Sequence, residues 1–187
     1  MTYYGAKELA ASFRTVRKNT IQIAEDIPES KYEFRPAPET RSVGQTLVHI
    51  AVSPGFQLHV QRNRISDLKT VNFPALLQQF LADEAKPRNK GEIVALLRSS
   101  GEEFASFVEG LSEEFLAERV TTPFGPDPAV ANVRSRFEML LSPKEHEMHH
   151  RGQLMVAQRM IGLVPHLTRQ MQQRLAQAQA PAGHQQR

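Results

Sequence analysis

Apolar residues recur at helical spacing along four long stretches of the chain. From about Tyr4 to Ile27 the repeating positions are Leu9, Phe13, Val16, Ile23 and Ile27, and Pro28 closes the run. A second stretch opens at Ser42-Val-Gly-Gln45, where Ser42 as N-cap and Gln45 three residues on make a capping box. It continues through Leu47, His49, Ile50 and Phe56 to about Arg62, with a kink or a restart expected at Pro54. A short helix beginning at Pro74 is expected inside the connection 63–88. The third long helix starts near Asn89, with Glu92 as capping partner and Ile93, Leu96, Leu97, Phe104, Phe107, Val108 and Leu111 as its apolar face. After the Pro/Gly-rich loop at 121–129, the fourth covers roughly Val133 to Ile161.

No useful length alternates apolar and polar residues at period two, so the pattern predicts an all-α protein built on four main helices. The long 63–88 connection implies at least one crossover. The bundle is expected over 1–165. The tail 166–187 is low in complexity, helical at first and disordered from Pro181 on.

Composition narrows the class. With 40% hydrophobic and 23% charged residues, the balance is that of a soluble domain, and no apolar run approaches membrane-spanning length. Lys7 and Glu8 stand where a signal peptide needs an apolar core, so a cytoplasmic protein without a membrane partner is expected. The absence of cysteine removes disulfides, thiolate ligands and a cysteine nucleophile together. The net charge is only +3 and no dense Lys/Arg run carries interleaved aromatics, so no nucleic-acid partner is expected.

The chemistry concentrates in His146-Glu-Met-His-His150. As H-E-x-x-H it reads as a zinc-protease helix, but no Asp or Glu follows Glu147 to complete the site. The extended protease motif also fails, with Gln153 at its glycine position and Val156 at its third histidine. A di-iron carboxylate site needs two Glu-x-x-His motifs, and only Glu147–His150 supplies one. As H-x-x-x-H, His146 and His150 lie about 40° apart and about 6 Å along one helix, so they converge on one ion.

The third ligand then comes from upstream. His49 shares a helical face with Phe56 and Val60, whereas His59 lies about 80° off that face and is expected at the rim. His149 is about 100° from His150 and suits the site less. Three neutral imidazoles, His49, His146 and His150, accept zinc, nickel or iron(II) and leave positions open. Packing or surface histidines are the plain alternative. Glu147 is expected in a surface or interhelix salt bridge, with a general base beside the metal as the alternative. Gln153 faces the histidine stripe, where it serves either a ligand ring or polar packing. Tyr32 and Phe34 are expected to pack a loop over the bundle end, with lining a pocket as the alternative.

Three segments, IPESKYEFRPAPETR, RSVGQTLVHIA and HEMHHRGQL, resemble the DinB family of the DinB/YfiT-like superfamily in order and spacing over most of residues 5–165. The resemblance implies a four-helix bundle with up-down-down-up connectivity, frequently a homodimer, and a metal on His49, His146 and His150. Zinc or nickel leads as the implied ion, with iron as the alternative. Some relatives use a low-molecular-weight thiol as co-substrate, and others are regarded as metal-dependent hydrolases. The implied function is therefore metal-dependent transfer or hydrolysis of a small molecule. The rival is a non-catalytic metal- or ligand-binding stress protein. This chain departs from the family at Ser142-Pro143, one turn before His146, where a kink or restart is expected.

Overall fold

Four amphipathic helices have to bury their apolar faces against one another. The computed structural model, which describes residues 4–123 and 132–179, shows how they do so. Helix α1 spans Ala6–Asp26, and its first turn is closed by the Glu8 carboxylate accepting from Gly5 N–H at 3.0 Å. Helices α2 (Val43–Val52) and α3 (Pro54–Arg62) share Ser53 as a junction. The predicted Ser42/Gln45 capping box starts α2. Pro54 brings a restart: it has no N–H to offer the Ile50 carbonyl, which instead accepts from Arg17 Nη2 at 3.3 Å. Helix α4 (Phe73–Glu84) lies in the connection, near the position expected. Helix α5 (Lys90–Glu109) opens with the predicted Asn89/Glu92 box, and α6 (Glu113–Ala117) is a single turn.

The fourth helix begins three residues later than expected. Arg119–Thr122 (β1) and Asn132–Ser135 (β2) pair antiparallel, Arg119 opposite Ser135 and Thr122 opposite Asn132, before α7 runs from Arg136 to Met160. Each strand has four residues, too short for a period-two pattern to stand out. Most of the loop expected at 121–129 lies outside the described residues, as does the stretch from Pro181. Helix α8 (His166–Gln179) makes the start of the tail helical.

Helix α1 packs chiefly on α5, α2 on α5 and α7, and α3 on the same two helices. This is the expected four-helix bundle with a small sheet added, and the α4-bearing connection accords with up-down-down-up order. Among the described residues the two larger of three apolar clusters fill most of it, the third gathering Val60, Leu68, Val120 and Met139. Of the larger two, one gathers Ile23, Leu47, Ile50, Leu97 and Leu154; the other gathers Leu9, Phe13, Leu58, Phe104 and Leu140. Phe13 and Phe104 are fully buried with ring centroids 4.7 Å apart. Such a side chain is worth about 1.5–3 kcal/mol of burial. Tyr32 is buried as expected, its hydroxyl donating to the Ala24 carbonyl at 2.8 Å, and Phe34 packs beside it.

A polar layer separates the two larger clusters. Arg17 and Glu147, 3% and 1% exposed, form an ion pair at 2.9 Å. Arg17 also donates to the Leu97 carbonyl at 2.7 Å and to Ser100 Oγ at 3.0 Å. Gly101 is required beside it, because a Cβ there would stand 2.7 Å from Arg17 Cγ.

The helix does not restart at Ser142-Pro143. Helix α7 is continuous, its N-cap being Ser135 with Glu138, and Pro143 is buried inside it. Proline forfeits one bond, to the Met139 carbonyl, and crowds it. The buried Met139 and Leu140 before it, and the Arg17–Glu147 pair after it, anchor both halves in the bundle. The histidine pair consequently sits in mid-helix, where the terminal dipole does not oppose a cation.

Candidate metal centre

Helix α2 presents His49 and helix α7 presents His146 and His150 to a common point. His49 Nε2 lies 3.0 Å from His146 Nε2, and His150 Nε2 lies 3.1 Å from it. The predicted trio is thus one cluster whose donor atoms all fall within 4.8 Å of one another. His59 is exposed and His149 points outward, as expected of residues outside the site.

The outer ring nitrogens fix the tautomers. His49 Nδ1 is 2.6 Å from Glu84 Oε1, and a carboxylate only accepts, so Nδ1 carries a proton, and in the neutral imidazole Nε2 then keeps its lone pair. His150 Nδ1 donates in the same way to Gln153 Oε1 at 2.8 Å, while Gln153 Nε2 donates to His149 Nε2 at 3.1 Å. Gln153 thereby takes the ring-orienting role rather than plain polar packing. Two bare lone pairs then face His146 Nε2, which has at most one proton to share between them. His146 Nδ1 is buried without a partner.

A cation at the common point satisfies all three nitrogens. Zinc–nitrogen bonds of about 2.0–2.1 Å in tetrahedral array place nitrogens about 3.3 Å apart, close to the 3.0 and 3.1 Å that separate His146 Nε2 from the other two, while the full set spans up to 4.8 Å. Burial first, then the neighbouring histidines, push the His146 pKa down from 6.5 to about 4, and burial also lowers that of His150. Both rings are therefore held in the neutral form that ligates metal. The donor set fits a divalent ion.

Glu147 takes no part in this cluster. Both of its oxygens are engaged by Arg17 on the opposite side of α7, so the interhelix salt bridge is the observed role.

Glu84, Arg41 and Arg35 were not picked out from the sequence. Glu84 comes from α4, 35 residues after His49, and Arg41 Nη2 stands 3.7 Å from its second oxygen. The signal for Glu84 was the spacing of Leu77, Phe80 and Glu84 on one face of α4, all three lining a cavity of about 250 Å³ beside His49 and His146. Gly55 lets α4 approach, since a Cβ there would stand 2.9 Å from Phe80 Cε1. On the other side, His150 and Gln153 line a larger cavity of about 670 Å³ with Arg35 and Arg41.

Residues 12–154 match the family model described as the DinB superfamily. The uncharacterised protein YjoA of Bacillus subtilis (strain 168) is 25% identical over 159 residues, covering 84% of this chain and 91% of that one. Its crystal structure, a DinB-like protein, superposes with a TM-score of 0.60 over 83% of this chain and 92% of that chain, at 21% identity. A DinB-like protein from Bacillus cereus ATCC 10987 gives 0.64 at 16% identity over 88% and 97% of the two chains.

The fold is shared as well by the colibactin self-resistance protein ClbS in complex with a dsDNA, at TM-score 0.56 and 16% identity, covering 83% of this chain and 98% of that one. That complex overturns the exclusion of a nucleic-acid partner. A protein of this fold does take DNA, and a net charge of +3 does not report local cation clusters, which are what phosphate contacts require.

Proposed function

The chain belongs to the DinB superfamily, and on that premise we propose that it is a divalent-metal protein. Zinc or nickel, or else iron, is held by His49, His146 and His150, and serves metal-dependent transfer or hydrolysis of a small molecule with a low-molecular-weight thiol as co-substrate. The observation that carries this reading is the pair of bare Nε2 lone pairs, set by Glu84 and Gln153, that face a third buried imidazole nitrogen. A bound ion with open positions lowers the pKa of a coordinated water or thiol and polarises a substrate atom. The chain's own contribution is orientation. Glu84 and Gln153 lock two rings, and burial keeps His146 neutral. The two flanking cavities give a substrate access from either side of the cluster.

Among the described residues no helix is long and apolar enough to cross a membrane. A cytoplasmic location is part of the proposal, in keeping with a chain free of cysteine. So is a homodimer, supported by the exposed Val156 and Met160 on one face of α7.

The test is turnover by protein reconstituted with zinc, nickel or iron(II). Transfer of a low-molecular-weight thiol to 1-chloro-2,4-dinitrobenzene and hydrolysis of p-nitrophenyl acetate are each followed beside His150→Ala. Metal-dependent turnover lost in the variant supports the enzyme. Metal binding with neither reaction above the protein-free rate supports the non-catalytic alternative.

A further inference from the structure

The larger cavity has a charge pattern that the histidine cluster does not require. Its rim carries two guanidinium groups, Arg35 and Arg41, against one carboxylate, Glu39. Arg35 donates to the Thr40 carbonyl at 2.6 Å, which positions the side chain without neutralising it. Arg41 reaches Glu84 only at 3.7 Å, beyond hydrogen-bond length, and that carboxylate is already held by His49 at 2.6 Å. Both cations thus keep donors free for a ligand.

The N-terminal amides of α2 are not an anion site here. The cavity touches the first turn of α2, but its amides are already used. Val43 N–H donates to the Phe34 carbonyl at 3.0 Å, Gly44 N–H to that of Tyr32 at 2.8 Å, and Gln45 N–H to Ser42 Oγ at 3.3 Å. Val43, Leu154 and Ala157 make an apolar floor beneath the arginines, and His150 is in the wall. At about 670 Å³ the space suits a small organic molecule.

We propose that this cavity binds a carboxylate-bearing small molecule, its charge against Arg35 and Arg41 and its apolar part over Val43, Leu154 and Ala157, within reach of the His49–His146–His150 cluster. The proposal deepens the functional reading above and rests on it for the role of the cluster, while the binding itself needs only the arginines and the floor.

The experiment is a ¹H–¹⁵N NMR titration with benzoate and, separately, with benzyl alcohol, its neutral counterpart. It uses the full chain as purified and again after chelation, with metal content measured in each sample. Benzoate is expected to move the Thr46, Gln153 and Leu154 amides and to bind about ten-fold tighter than the alcohol or better, in the presence and absence of metal. In an Arg35→Gln, Arg41→Gln double variant the two ligands should bind alike. Both arginines are exposed, so this variant keeps its fold, which the same spectra record. Equal binding of the two ligands to the unaltered chain overturns the proposal, as does a benzoate preference that survives in the double variant. If metal loads while benzoate shows no preference, the pocket proposal fails and the metal reading stands. If no metal loads while the arginines still select benzoate, the reverse holds.

Discussion

The carboxylate of Glu147 is gripped by Arg17, with Nη2 at 2.9 Å and Nε at 3.0 Å from its oxygens, while the histidines on either side of it in sequence face away toward His49. One helical turn therefore serves two separate purposes. Glu147 ties α7 to α1 through the middle of the bundle, and His146 and His150 build the cluster. Removing one partner of a buried ion pair leaves an uncompensated charge. Glu147→Ala should cost about 3–5 kcal/mol in urea unfolding and leave metal content unchanged per folded chain. Unaltered stability with abolished turnover would instead make Glu147 the general base.

Gly101 gives an independent check on the same layer. A Cβ at 2.7 Å from Arg17 Cγ and 3.1 Å from Nη1 displaces the guanidinium from the Leu97 carbonyl. Gly101→Ala should destabilise by about 1–3 kcal/mol despite its better helix propensity. A stabilised variant in thermal unfolding would contradict the packing described.

Glu84 meets the candidate cluster through His49 Nδ1. Loss of such a carboxylate partner typically weakens metal binding about 10–100-fold. Glu84→Gln should show a drop of that order in competition with a chromophoric chelator, with the helical circular dichroism unchanged. An unchanged affinity would reduce the 2.6 Å contact to a surface pairing.

The metal-free protein should lose stability on acidification in a defined window. His146 resists protonation down to about 4 in the fold, against 6.5 for an ordinary imidazole. Below 6.5 the unfolded chain takes up a proton that the folded ring refuses, so unfolding is favoured as pH falls, and the effect levels off below about 4. Stability from this ring is fully present above 6.5. Urea midpoints at pH 7, 5.5 and 4.5 should fall more steeply in the chelated unaltered chain than in His146→Gln. Parallel slopes would contradict the burial of a neutral ring.

Much of this was legible in the chain itself. Capping boxes at Ser42 and Asn89 and the apolar spacing of α1 and α5 located helices because both are local signals. His49, His146 and His150 were found because helical spacing alone decides which histidines share a face. Glu84 and the two arginines were missed because their roles depend on how α4 and the loop before α2 fold back over the bundle, a long-range relation. Helix α7 runs on through Pro143 without a restart because tertiary contacts on both sides outweigh the local rule. The nucleic-acid exclusion failed because net charge averages over the surface.

The most direct measurement is elemental analysis of the full chain, purified without chelator or histidine tag, beside a His49→Ala, His146→Ala double variant of unchanged circular dichroism. About one zinc, nickel or iron per chain, absent from the variant, is the predicted result. No metal in either protein, even after reconstitution with each ion, would contradict the three-histidine centre and the function built on it.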